Sequence, residues 1–111
     1  MQLRQLGRSE LRLPPLVLGT MPRRALREED RIALWRGAIA RGFPAFDTAP
    51  LYGYGAVEIL LGRALAGIPR ERVQILGKVG LRWDEGARGR VLFVEGASSG
   101  APDSAGSPET L

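Results

Sequence analysis

Apolar residues recur at helical spacing in two stretches of the chain and gather into short unbroken runs in three others. Between positions 27 and 41, Ile32, Trp35 and Ile39 share one face, with Leu34 and Ala38 beside it. That is the repeat of an amphipathic helix. Glu28, Glu29 and Asp30 fill the first turn, where negative charge is favoured by the positive helix end, and Gly42 follows as a stop. The pattern predicts a helix from Arg27 to Arg41. Further on, Val57, Leu60, Leu61, Ala64 and Leu65 stand at i, i+3, i+4, i+7 and i+8. This apolar stripe predicts a second helix from Ala56 to Leu65, closed by Gly67 and Pro69. Leu16-Val17-Leu18-Gly19 follows two prolines and is expected to be a buried strand ending at Gly19-Thr20. Ala45-Phe46-Asp47 is expected as a short strand, and the β-branched run Val73 to Val79 as a longer one. Leu3, Leu11 and Leu13 around the polar turn Gly7-Arg8-Ser9 predict a hairpin within Gln2–Leu13.

The expected order is hairpin, then β-α-β-α-β, which implies parallel strands joined by right-handed crossovers. Parallel sheets need cover on both faces, and two helices cover only part of a three-stranded sheet. The pattern therefore reads as the opening of a larger α/β fold, truncated. Val73-Gln74-Ile75-Leu76 would then form an unprotected edge, open to self-association. No internal repeat interrupts this order. Composition shifts near Asp84. Residues 85–95 are expected to be irregular or a short hairpin. Residues 96–111, mostly Gly, Ala, Ser and Pro, are expected to be a disordered tail.

Composition narrows the chemistry. At 111 residues the chain suits one small domain or part of a larger one. It contains no Cys and no His, so thiol nucleophiles, disulfides and thiolate metal sites are absent, as is the commonest neutral-pH base. Serine-triad hydrolysis and ordinary zinc chemistry are poor expectations, and no metal site is expected. The net charge is +4, but the arginines are interleaved with acids, as in Arg27-Glu28-Glu29-Asp30-Arg31 and Arg70-Glu71-Arg72. A solvated mixed surface is expected, not a nucleic-acid-binding stripe. No apolar run approaches the ~20 residues of a membrane span. Met1 to Leu6 lacks the apolar core of a signal peptide. A cytoplasmic protein without a membrane partner is expected.

Lys78, the sole lysine, ends an apolar strand in Ile75-Leu76-Gly77-Lys78. A buried ammonium is costly unless paired, so Lys78 either emerges into solvent or meets a carboxylate. Asp47 ends the preceding strand. In parallel α/β folds the carboxyl ends of strands share one edge, where sites form, so Asp47 and Lys78 can meet there. A purely structural ion pair would bring them together equally well. Tyr52 lies five positions after Asp47, in the glycine-punctuated loop Leu51-Tyr52-Gly53-Tyr54-Gly55. A free phenol titrates near ~10, and a neighbouring ammonium favours the phenolate. An Asp–Lys–Tyr set is thus a sensible proton donor. Tyr54 is the rival phenol, which spacing alone does not exclude.

These residues also carry a resemblance. Phe46-Asp47-Thr48-Ala49-Pro50-Leu51-Tyr52-Gly53-Tyr54-Gly55, then Glu58, then Leu61-Gly62-Arg63-Ala64-Leu65, resembles the signature of the aldo-keto reductase superfamily. The Ala-Pro-Leu-Tyr-Gly variant is similar to its bacterial aldose-dehydrogenase-like branch. Leu6-Gly7-Arg8-Ser9, Leu18-Gly19-Thr20-Met21 and Lys78-Val79-Gly80 extend the likeness over Met1 to Asp84, the expected partial barrel domain. The resemblance implies the N-terminal portion of a (β/α)8 TIM barrel that binds NAD(P)H without a Rossmann motif. It implies hydride transfer between nicotinamide and a small carbonyl, alcohol or sugar-like substrate. Tyr52 would be the general acid/base, Lys78 the ammonium favouring its phenolate, and Asp47 the support for Lys78. Gly19, Thr20, Met21 and Asp47 would lie near the cofactor, and Trp83 would either line the substrate pocket or be a surface or packing residue. The family's fourth member, a His after the fourth strand, has no counterpart here, and Gly77 stands where the family usually has Thr. A whole barrel takes roughly 250 residues. The alternative expectation is therefore a catalytically inactive, truncated remnant or an interaction fragment.

Overall fold

The computed structural model describes residues 2–21 and 26–80. The chain divides into two compact units, Met1–Val79 and Gly80–Leu111, and the elements that follow all belong to the first. Trp83, the segment 85–95 and the expected tail 96–111 lie outside the described residues.

The hairpin forms from β1 (Arg4–Gln5) and β2 (Arg12–Leu13), antiparallel with Arg4 opposite Leu13. Its turn uses Gly7 at φ 55°, and the Ser9 hydroxyl donates to the Leu6 carbonyl at 2.7 Å. Then come β3 (Leu18–Gly19), α1 (Glu28–Ala40), β4 (Ala45–Asp47), α2 (Ala56–Leu65) and β5 (Gln74–Leu76). The three later strands form a parallel sheet in the order β3-β4-β5. Gly19 pairs with Asp47, and Asp47 with Leu76.

Both helices form where periodicity expects them. α1 ends in a motif that needs a left-handed residue: Gly42 at φ 87°. Its N–H donates to the Ile39 carbonyl at 3.0 Å, and the Phe43 N–H reaches the Ala38 carbonyl at 2.9 Å. These two bonds satisfy carbonyls that the helix end would leave orphaned. The stripes of the two helices meet over the central strand. Trp35, Phe46, Val57, Leu60, Leu61 and Ala64 form the buried core, flanked by Leu18, Ile32, Ile39, Tyr52 and Leu65. Burial of each large apolar side chain contributes about 1.5–3 kcal/mol. Polar ties across the helices sit outside this core. Arg63 donates to Glu28 at 2.8 Å, and Arg36 donates to the Ala66 carbonyl at the end of α2 at 3.1 Å.

Two strands depart from expectation. The Leu16–Gly19 run is not a buried strand. Only Leu18 and Gly19 pair, Leu18 is half-buried, and Leu16 is 62% exposed. β3 pairs only with β4 among the described residues, so one side of its apolar run faces outward. β5 stops at Leu76 and does not extend to Val79, which is 94% exposed. The reason is its partner: β4 ends at Asp47, and the Thr48 N–H to Leu76 carbonyl bond at 2.9 Å is the last rung available. The open edge expected at Val73–Leu76 is present among the described residues, with Ile75 37% exposed and Val73 buried.

Candidate active site

Parallel pairing places the carboxyl ends of β3, β4 and β5 on one edge of the sheet. Asp47 is the last residue of β4, and Lys78 follows β5 by two positions. The Lys78 ammonium donates to Asp47 Oδ1 at 2.5 Å and to the Thr48 carbonyl at 3.0 Å. The two side chains keep 39% and 42% of their surface exposed. The pair is therefore neither lost in solvent nor sealed in the core, and another molecule can reach it.

Tyr52 completes the cluster. Lys78 Nζ lies 5.1 Å from the centroid of its ring, within range of a cation–π attraction. The ring itself packs against the apolar core, which fixes it from behind. The loop that carries it folds tightly. The Tyr52 N–H donates to the Ala49 carbonyl at 3.1 Å. Gly53, Tyr54 and Gly55 then all take positive φ, at 59°, 51° and 92°. At Gly53 a Cβ would also stand 3.4 Å from Ala56 Cβ and Val57 Cγ2. The positive φ is what favours glycine at this position, the Cβ contact being an ordinary one. Of the two phenols that spacing leaves open, Tyr52 is the one whose ring lies under Lys78.

The electrostatics follow from these contacts. The hydrogen bond to Asp47 raises the Lys78 pKa above the ordinary lysine value. Partial desolvation opposes this, and Tyr52 and the charge of Asp47 add to it. Lys78 is thus a fixed ammonium at neutral pH. It can favour negative charge on a neighbouring oxygen, but it does not itself act as a base there.

The end of β3 lies on the same edge. The Thr20 N–H and hydroxyl both donate to the Asp47 carbonyl, each at 3.0 Å. Thr20 is only 3% exposed, whereas Met21 is 57% exposed and Gly19 has open space where a Cβ would point. A molecule lying on this edge would meet Gly19 and Met21 directly. The Gly77 position also has room: a Cβ there would meet nothing within 4 Å. Lys78 is held by its own contacts without a side chain at 77.

Sequence reasoning missed three contributors. The Thr48 carbonyl holds Lys78, the Thr20 hydroxyl holds the Asp47 carbonyl, and the Arg31 guanidinium reaches the Thr20 carbonyl at 3.5 Å while lying 5.2 Å from the Trp35 ring centroid. A main-chain acceptor leaves no trace in residue type. The helical register of Arg31 beside Trp35 was the one available hint. Among the described residues no group of three potential metal ligands occurs.

A profile of the aldo/keto reductase family matches residues 15–104 of the chain. The chain is 41% identical over 93 residues to pyridoxal 4-dehydrogenase of Microbacterium luteolum, covering 80% of the chain and 27% of that protein. It is 45% identical over 56 residues to probable aldo-keto reductase 1 of Glycine max, covering 50% of the chain and 16% of that protein. The chain thus spans about a quarter or less of the length of these relatives. Among solved structures, aldo-keto reductase AKR11C1 of Bacillus halodurans in its holo form superposes with TM-score 0.69 at 33% identity, over 78% of this chain and 28% of that one. A thermostable aldo-keto reductase in complex with epalrestat superposes with TM-score 0.62 at 35% identity, over 71% and 31%. Both are (β/α)8 barrels, and the described residues form a partial α/β fragment of that fold with no closed barrel among them.

Proposed function

The chain belongs to the aldo/keto reductase family, and from that premise we propose that its strand-end cluster serves hydride transfer between NAD(P)H and a small carbonyl or alcohol substrate, sugar-like molecules included. The observation that carries the proposal is the placement of the Lys78 ammonium, 2.5 Å from Asp47 and 5.1 Å from the Tyr52 ring centroid, on an accessible strand-end edge.

The described residues fit the reacting end of such a cofactor. Asp47 and Met21 offer exposed surface there, and Gly19 leaves open space for a flat ring. Thr20, its side chain buried and its N–H and hydroxyl both given to the Asp47 carbonyl, would support that edge from within. When bound, the nicotinamide supplies the hydride to a carbonyl carbon, or accepts it from an alcohol. Everything else falls to the protein. In reduction Tyr52 gives its phenolic proton to the carbonyl oxygen as the C–O double bond becomes single. The phenolate left behind faces the Lys78 ammonium, which Asp47 and the Thr48 carbonyl hold in place. In oxidation the proton returns to the phenolate. Lys78 stays charged throughout, so the pair acts as a fixed electrostatic partner that needs no reorganisation during the reaction. We place this chemistry in the cytoplasm; no helix among the described residues is long and apolar enough to cross a membrane.

The test is NADPH consumption with a panel of aldehydes, beside cofactor binding followed by quenching of tryptophan fluorescence. Tyr52→Phe should lower kcat by about 10²–10⁴-fold, the usual worth of a positioned acid, and leave cofactor binding nearly intact. Equal turnover by the variant would remove Tyr52 from its role.

A second reading is favoured by one specific observation. β3 and β5 each pair on one side only among the described residues, and Leu16 and Ile75 are exposed beside them. In that reading the chain is a catalytically silent piece that associates through its strand edges. Saturable cofactor quenching with a monomeric sedimentation profile would count against it.

A further inference from the structure

Thr20 lies at the end of β3, is 3% exposed, and spends both its donors on one acceptor. Its N–H and its hydroxyl each reach the Asp47 carbonyl at 3.0 Å. The N–H bond continues the ladder, and any residue but proline would supply it. The hydroxyl bond is different, because only Ser or Thr can add a second donor from that place. The other edge of the same peptide unit is also held, since the Thr48 N–H donates to the Leu76 carbonyl at 2.9 Å. The peptide joining Asp47 to Thr48 is therefore clamped between β3 and β5 by three hydrogen bonds.

That peptide is where the ammonium docks. Lys78 bonds the Asp47 carboxylate on one side of it and the Thr48 carbonyl on the other. Rotation of that peptide plane changes ψ of Asp47 and φ of Thr48, the backbone angles that set the Asp47 side chain and the Thr48 carbonyl relative to one another. We propose that Thr20 is a positioning residue, whose hydroxyl locks the Asp47–Thr48 peptide so that the carboxylate and the Thr48 carbonyl together fix Lys78 beneath the site. This deepens the functional reading above and rests on it for its catalytic meaning. The geometric content stands by itself and is tested without turnover.

Lys78 is the sole lysine of the chain, so lysine-selective ¹³C and ¹⁵N labelling of the full chain yields one side-chain spin system. Its titration midpoint is followed by NMR in the parent chain, in Thr20→Val, which keeps the shape and removes the hydroxyl, and in Thr20→Ser, which keeps the hydroxyl. The midpoint should shift downward, towards the ordinary value of 10.5, in the valine variant and stay at the parent position in the serine variant. Thr20→Ala, set against Thr20→Ser, makes the same comparison if the valine variant fails to fold, which circular dichroism decides. An unchanged midpoint in a folded variant lacking the hydroxyl overturns the proposal. So does an equal downward shift in the serine variant, which would assign the effect to side-chain shape. Loss of NADPH turnover with normal lysine titrations would instead overturn the functional reading and leave the positioning role intact.

Discussion

Phe46 and Asp47 are neighbours on β4, yet they are expected to respond very differently to truncation of their interactions. Phe46 is fully buried and packs with Trp35, Val57, Leu60, Leu61 and Ala64. Replacing such a ring by Ala costs about 3–5 kcal/mol, part lost transfer energy and part cavity. Asp47 holds Lys78 in a pair whose side chains are 42% and 39% exposed. Solvent screens such a pair, and measured exposed pairs contribute about 0.2–1 kcal/mol. In Asp47→Asn the Thr48 carbonyl at 3.0 Å still accepts from Lys78, which limits the loss further. The folded unit spans Met1–Val79. A stability of about 0.05–0.15 kcal/mol per residue gives it a total of about 4–12 kcal/mol. Phe46→Ala therefore removes about a quarter or more of that total, and Asp47→Asn removes at most about 1 kcal/mol. Urea denaturation followed by far-UV circular dichroism measures both, with an unchanged slope confirming that only stability moved. If Asp47→Asn costs as much as Phe46→Ala, the Asp47–Lys78 pair is structural scaffolding and not an accessible chemical group. If Phe46→Ala costs under about 1 kcal/mol, the core described here does not hold β4 in place.

Two further outcomes follow from the same contacts. Because the folded-state pKa of Lys78 is raised above 10.5, its pairing stabilises fully below that value. The contribution is lost as pH rises through the folded-state pKa, so urea midpoints should fall over that alkaline window in the parent chain and less in Asp47→Asn. Gly42→Ala should cost about 1–2 kcal/mol in the same assay, because φ there is 87° and a Cβ disfavours the left-handed region. A change within error would place the α1 terminus in a different conformation.

Much of the fold is legible along the chain because a helix stripe is a local property. Val57, Leu60, Leu61 and Ala64 share a face wherever Ala56–Leu65 is helical, and all four are buried. Gly42 marks the end of α1 because few other residues adopt its φ. Strand length is another matter. The apolar run to Val79 says nothing about where β4 stops, and β4 decides where β5 can pair. The Leu16 run looked buried for the same reason, since burial of a strand depends on neighbours that its own residues do not encode. At the site, Asp47, Tyr52 and Lys78 stood out because charged and phenolic groups at strand ends need partners. The Thr48 carbonyl and the Thr20 hydroxyl did not. The first belongs to the backbone, and the second is indistinguishable in sequence from any threonine at a strand end.

The convergence of ammonium and phenol can be observed directly. With lysine and tyrosine selectively labelled in the full chain, nuclear Overhauser contacts report which ring lies beside the single lysine. Cross-peaks from the Lys78 side-chain methylenes to the Tyr52 ring are expected, given 5.1 Å from Nζ to the ring centroid. A folded chain showing none of these contacts would contradict the assembly of Asp47, Tyr52 and Lys78 into one site.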